Sequence, residues 1–221
     1  MKRITILSLA ASIGCCVMSF TPTTTDDSFA GVIKYSITVD GASNPQAAQM
    51  MQNSTFTIYL ASGKAKSVFA FSMGTQSSLS GVIPDSVISL RDIGGQKVEM
   101  KIPISNKAIG GKNPDIKYLD DTKEIAGYTC HRAQVTNANG TTTDVYYTDQ
   151  LPAYEGKKGE YKGLKGFPLE FSSTERGGMT VKFSAISVTK QALSDDVFAV
   201  PSGYTLQAMP AMGQHGMGGG Q

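Results

Sequence analysis

Tryptophan is absent from this chain of 221 residues, and histidine and cysteine are scarce, with two His and three Cys. Only Cys130 lies outside the first sixteen residues, so no internal disulfide framework is available. A zinc site needs three or four His, Cys or carboxylate ligands close together, and this composition does not supply them. We therefore expect no metal site and no cofactor.

Neither sign of charge is in excess. The chain carries 20 Lys plus Arg and 18 Asp plus Glu. If Lys2 and Arg3 are removed with a signal peptide, 18 Lys plus Arg remain. Because nucleic acid binding depends on a basic surface, nucleic acid is not expected as a partner. The sequence gives no indication of an oligomeric state.

The N-terminus has the order of features that export machinery reads. Lys2 and Arg3 precede an uncharged run over residues 4–17 that is too short to span a bilayer. Residues 1–19 are therefore predicted to be a secretory signal peptide, followed by a Thr/Pro/Asp linker over 20–28. The protein is expected to be exported.

Two cleavage sites compete at the end of the signal peptide. Gly14-Cys15 fits a lipoprotein site, which would anchor the chain to a membrane through a lipid on Cys15. Such sites usually have Leu at the third position before the cysteine, where this chain has Ser12. Simple secretion after Val17-x-Ser19 is therefore favoured, with lipidation of Cys15 as the alternative.

Alternation of apolar and polar residues predicts a single β-rich domain over residues 29–206. Tight turns such as Ser62-Gly63 and Gly94-Gly95 lie at hairpin spacing, which predicts mostly antiparallel pairing. The predicted strands cover residues 33–39, 56–60, 67–71, 81–83, 87–90, 97–102, 128–135, 142–148, 168–173 and 179–189.

One helix and one unstructured tail complete the prediction. In "SNPQAAQMMQNS", residues 43–54, Ser43 or Asn44 can cap a helix and Pro45 suits its first turn. The Met/Gly-rich tail over 207–221 lacks periodicity and is predicted to be disordered. Its Met and His side chains are soft ligands of the kind that bind Cu(I), but a solvated tail is the favoured interpretation.

The stretch "KEIAGYTCHRAQVT" places Cys130 directly before His131, a combination that raises the question of nucleophilic catalysis. If the segment is a strand, consecutive side chains leave on opposite faces, so the thiol and the imidazole cannot form a dyad. The acid pairs Asp120-Asp121 and Asp195-Asp196 fall where turns are expected rather than in a shared cleft. We therefore expect no catalytic residues and no enzyme.

Five segments in a fixed order resemble the bacterial envelope family known as domain of unknown function 4412. They are "FAGVIKYSI", "KEIAGYTCHRAQV", "DVYYTDQL", "LKGFPLEF" and "DDVFAVPSGY", and the resemblance that they carry in this order spans nearly the whole mature chain. The resemblance implies a fold related to the periplasmic outer-membrane lipoprotein carrier proteins: a strongly curved antiparallel sheet, an open half-barrel, folded over one short helix. It also implies a place in the periplasm or cell envelope of a Gram-negative bacterium, and it transfers Gly127, Tyr128 and Cys130 only as structural positions.

The sequence is more typical of a protein that encloses a ligand than of an enzyme. The main hypothesis is a non-catalytic envelope protein that binds a lipid or other apolar ligand in the concave face of the sheet. The alternative is a structural or protein-interaction protein whose cavity is closed by its own side chains. The residues expected to line the apolar cavity are Ile33, Tyr35, Phe56, Ile58, Phe69 and Phe71.

Overall fold

A computed structural model describes residues 29–41, 49, 51, 53–104, 113–138, 140–154, 160–174 and 179–208. The chain is mainly β and forms one open, curved sheet, as predicted. Within the described ranges, no helix is long and apolar enough to cross a bilayer. The strands are β1 Gly31–Asp40, β2 Thr55–Ala61, β3 Lys64–Phe71, β4 Gly74–Ile83, β5 Ser86–Ile93, β6 Gln96–Pro103, β7 Asp115–Ile125, β8 Tyr128–Thr136, β9 Thr142–Thr148, β10 Phe167–Thr174, β11 Thr180–Lys190 and β12 Thr205–Leu206, with one turn of 3-10 helix at Asp195–Phe198.

The order of strands across the sheet is β12-β6-β5-β4-β3-β2-β1-β11-β10-β9-β8-β7. Neighbouring strands are antiparallel, as predicted, apart from β12, which runs parallel to β6. Because β1 pairs with both β2 and β11, the first strand lies near the middle of the sheet. The sheet ends at β7 on one side and at the two-residue β12 on the other.

The predicted strands are confirmed, but β7, β12 and residues 74–80 of β4 have no counterpart in the sequence prediction. Strand β7 reads DIKYLDDTKEI, and its many charges hide the alternation because an edge strand exposes most of its side chains. The prediction that Asp120 and Asp121 lie in a turn is wrong. Both lie within β7 where the register shifts between Tyr118 and Thr122, and Asp121 accepts a hydrogen bond from Arg132.

Several predicted segments lie outside the described residues. These are the signal peptide, the linker, Cys15, the tail from residue 209 and most of the predicted helix. Of that helix, Gln49 and Met51 are described and are helical. The backbone N–H of Gln207 donates to the carbonyl of Glu99, so the first residue of the predicted tail is bonded to the sheet.

The sheet is strongly curved where it ends at β7. Three strands separate β7 from β11 in the sheet, a distance of roughly 19 Å if the sheet were flat. Yet Cα atoms of β7 and β11 approach within 8 Å. Lys123 of β7 also reaches Glu170 of β10, with 2.6 Å between Nζ and Oε1. The sheet therefore curls until its edge strand meets strands that are not its neighbours.

Candidate ligand-binding face

The six residues predicted to line a cavity lie on one face of strands β1, β2 and β3. Ile33 pairs with Ile58 and Tyr35 pairs with Phe56 across β1 and β2. Phe56 in turn pairs with Phe69 of β3. Directly paired residues share a face and alternate residues return to it, so Phe71 lies there as well. We call this face of strands β1 to β6 the aromatic face.

The six residues differ in their exposure. Ile33, Tyr35 and Ile58 are at most 2% exposed and belong to the main apolar core. Phe56, Phe69 and Phe71 are half-buried. The first three are therefore packing residues at the centre of the sheet, whereas the three phenylalanines form a partly exposed apolar wall beside it.

The aromatic wall continues into strands that the cavity prediction left out. Phe183 of β11 lies 5.2 Å from Phe56 between ring centroids, and Phe171 of β10 stacks on Phe183 at 4.9 Å. Phe171 also makes an edge contact with Tyr35 at 5.8 Å. Alternation in "PLEF" and "VKFSAI" predicts strands there, but it does not show that β11 pairs with β1, and this pairing brings the rings together.

Tyr35 fixes the centre of the wall with a long-range hydrogen bond. Its hydroxyl donates to the carbonyl of Pro168 at 2.8 Å. Burial raises the pKa of the Tyr35 phenol well above its usual value, with a smaller contribution from Tyr154. Tyr35 is therefore a neutral hydrogen-bond donor at any physiological pH, and its hydrogen bond links β1 to β10.

The segment "KEIAGYTCH", residues 123–131, forms the end of the β7–β8 hairpin, which we call the ribbon tip. Its turn has positive φ at Ala126 (51°) and Gly127 (83°), the backbone geometry of a tight hairpin. Ile125 and Cys130 are buried in the main core, and Lys123 lies over the Tyr146 ring at 3.7 Å from its centroid. The residues that carry the family resemblance therefore close one side of the core.

Cys130 is buried, as predicted, with no exposed surface, and it lies in β8 directly before His131. Its thiol points to the carbonyl of Tyr128 at 3.5 Å. Burial, followed by the charge of Glu124, raises the pKa of the Cys130 thiol to about 11. A thiol that is neutral and inaccessible is not an activated nucleophile. Among the described residues, no group of three His, Cys, Asp or Glu side chains is placed to hold a metal ion.

Part of the opposite face of the same strands is covered by the C-terminal segment of the domain. Phe198 packs into a core with Leu79, Ile88 and Leu90, whose side chains leave the sheet away from the aromatic face. Lys66 also lies on this opposite face, and its Nζ donates to the carbonyl of Val197 at 2.9 Å. Part of the opposite face is therefore covered by the chain itself, whereas the aromatic face carries the half-buried rings of Phe56, Phe69 and Phe71.

A groove of about 430 Å³ lies away from the aromatic face, at the sheet edge formed by β6 and β12. Its wall includes Leu206, which is 57% exposed. Lys101, another wall residue, pairs with Ile88, so its side chain belongs to the opposite face. The remaining wall residues are Pro103, Gln207 and Ala208.

No protein-family model and no curated protein matches the chain. The resemblance to the domain of unknown function 4412 family therefore stays a prediction. Among solved structures, one of PNGF-II is similar in fold, with a TM-score of 0.52 and 18% identity over 83% of this chain. The match spans 31% of the PNGF-II chain.

Two other solved structures superpose less closely. An uncharacterized conserved protein from Thermus thermophilus matches with a TM-score of 0.45 and 8% identity, over 80% of this chain and 90% of its own. The LolA superfamily protein NE2245 from Nitrosomonas europaea matches with a TM-score of 0.33 and 8% identity, over 78% of this chain and 90% of its own.

Proposed function

We propose that this protein is a non-catalytic module of the bacterial cell envelope that binds a lipid or another apolar ligand against its aromatic face. The observation that carries the proposal is the row of half-buried rings at Phe56, Phe69 and Phe71, which extends the core to the surface. Partly exposed aromatic rings on a curved sheet offer an apolar ligand both area and shape.

The lack of a catalytic role rests on Cys130 and His131. The thiol is buried with a raised pKa, and the imidazole is the next residue along a strand, so the two side chains leave in opposite directions. The proposed export to the cell envelope rests on the N-terminal sequence and on the family resemblance. A lipid on Cys15 would add a membrane anchor to the same function.

A second candidate function follows from the buried centre of the wall. Ile33, Tyr35 and Ile58 are packed by the protein itself, and the ribbon tip adds Ile125 and Cys130 to the same core. If Phe69 and Phe71 are also covered in solution, the protein holds no ligand and serves as a structural or protein-interaction module.

Binding of the neutral fluorescent probe N-phenyl-1-naphthylamine distinguishes the two candidates. We expect saturable binding to the wild type and at least fivefold weaker binding to Phe69→Ser. Ile186→Ser is the matched control, because Ile186 is 63% exposed on β11 and its loss should leave binding unchanged. Circular dichroism checks that each variant is folded.

Native mass spectrometry of protein purified from its own envelope gives an independent result. A reproducible co-purified lipid supports the binding function. A ligand-free mass together with no saturable probe binding supports the closed structural module and overturns the proposal.

A further inference from the structure

Arg91 lies at the polar end of a row of paired side chains that crosses the aromatic face. Strand register places Phe56 beside Phe69, Phe69 beside Gln76, and Gln76 beside Arg91, on four consecutive strands from β2 to β5. Directly paired residues point to the same side, so these four side chains form one line on the aromatic face. The line changes from aromatic to amide to guanidinium as it crosses the sheet.

Among the described strands of the aromatic face, Arg91 has no charged neighbour. Strands β2 to β6 lie wholly within the described residues, and Arg91 is the only charged residue that their register places on the aromatic face. Lys66, Asp92 and Lys97 all belong to the opposite face. Arg91 is exposed, and none of the ion pairs found among the described residues includes it.

We propose that the aromatic face binds a single-chain amphiphile with a carboxylate headgroup, a long-chain fatty-acid anion, with the headgroup on Arg91 and Gln76 and the chain over Phe69 and Phe56. This inference rests on the proposed function and names its ligand class. A guanidinium fits a carboxylate with two parallel N–H donors, and the neighbouring amide adds a further donor. A single cation on the described strands of this face matches a monoanion better than a doubly charged phosphate.

The dimensions of the row suit an acyl chain. Three interstrand spacings separate Arg91 from Phe56, a distance of roughly 14 Å. Beyond Phe56 the row reaches Tyr35, which is 2% exposed and closes the path. The chain therefore lies across the strands, with its headgroup toward β5 and its methyl end toward the core.

Competition against N-phenyl-1-naphthylamine with laurate and with 1-dodecanol tests the headgroup. These two competitors have the same chain length, and at pH 8 and about 0.15 M salt only laurate is charged while long-range attraction is screened. We expect the wild type to bind laurate at least fivefold more tightly than dodecanol. Arg91→Gln should abolish this preference and leave the affinity for dodecanol within twofold of the wild-type value.

Lys101→Gln is the matched control, because it removes one positive charge from the neighbouring strand β6 on the opposite face. It should keep the laurate preference. Equal binding of laurate and dodecanol to the wild type, or equal loss of preference in both variants, overturns the inference and leaves the proposed function intact. Failure of the wild type to bind the probe or either competitor overturns the proposed function itself.

Discussion

Glu170 ties the ribbon tip to the rest of the sheet, and Glu170→Gln isolates the contribution of its charge. The Oε1 atom accepts hydrogen bonds from Lys123 Nζ at 2.6 Å and lies 3.0 Å from Lys182 Nζ. The Oε2 atom accepts from Ser184 Oγ at 3.1 Å. The Glu170 side chain is 13% exposed, so its charge is held in a partly dehydrated site. Glutamine keeps the shape and removes the charge.

The expected loss of stability is about 2 kcal/mol. Hydrogen bonds to a charged group contribute about 1.5–3 kcal/mol each. The side chains of Lys123 and Lys182 are 35% and 43% exposed, however. Water therefore solvates both ammonium groups when the charge of Glu170 is removed, and this reduces the loss of stability. For a domain of this size, about 2 kcal/mol corresponds to a fall in Tm of roughly 4–8 °C, measurable by thermal denaturation at pH 7.

The pH dependence provides the sharper test. Burial acts to raise the pKa of Glu170, but the hydrogen bonds from Lys123 and Lys182 outweigh it, and the pKa is lowered below its usual value. A carboxyl group with a lowered folded-state pKa contributes stability above its unfolded pKa of about 4.3 and loses it as the pH falls through the folded value. The difference between wild type and Glu170→Gln should therefore shrink between pH 5 and pH 3.

Glu124→Gln is the control for this experiment. Glu124 is exposed on the same hairpin and accepts its hydrogen bond from the neighbouring Thr129, so its replacement should change stability by less than about 0.5 kcal/mol. A Glu170→Gln effect that is the same at pH 7 and pH 3, or no larger than that of Glu124→Gln, would refute the assignment of a charged tether.

Two further predictions concern the core and a glycine contact. Cys130→Ala should lower the free energy of unfolding by about 1–3 kcal/mol, because it leaves a small cavity in the core. The native Cys130 thiol should react slowly in peptide-resolved labelling at pH 8, because burial raises its pKa to about 11. Rapid labelling would show that the thiol is accessible. Gly81→Ala should cost about 3 kcal/mol or more in chemical denaturation, because Gly81 has φ +72° and an added Cβ would lie 1.8 Å from the carbonyl oxygen of Gly63. Gly94→Ala should cost only about 1 kcal/mol, because φ is +59° and nothing lies within 4 Å of the added atom; equal effects of the two substitutions would rule out the contact.

The local sequence pattern was sufficient to predict many of the strands in the sheet. Period-two alternation in "VIKYSITV" or "TFTIYL" is a property of adjacent residues, so strands β1 and β2 and their apolar faces were predictable. The same reasoning assigned Cys130 to a strand beside His131 and excluded a dyad, because opposite orientation follows from the strand itself. In contrast, β7 was missed because the outward-facing charges of an edge strand outnumber its apolar residues.

The amino-acid sequence by itself determined that the protein is rich in strands, and that Phe56, Phe69 and Phe71 share the face of Tyr35 once neighbouring strands pair. Only the tertiary structure decided that β11 pairs with β1, which adds Phe183 and Phe171 to the aromatic wall. It also decided that Arg91 lies in line with Gln76, Phe69 and Phe56, and that the C-terminal segment covers part of the opposite face. The physical reason is that alternation fixes side-chain direction within one strand, whereas register and curvature depend on contacts between residues far apart in the chain.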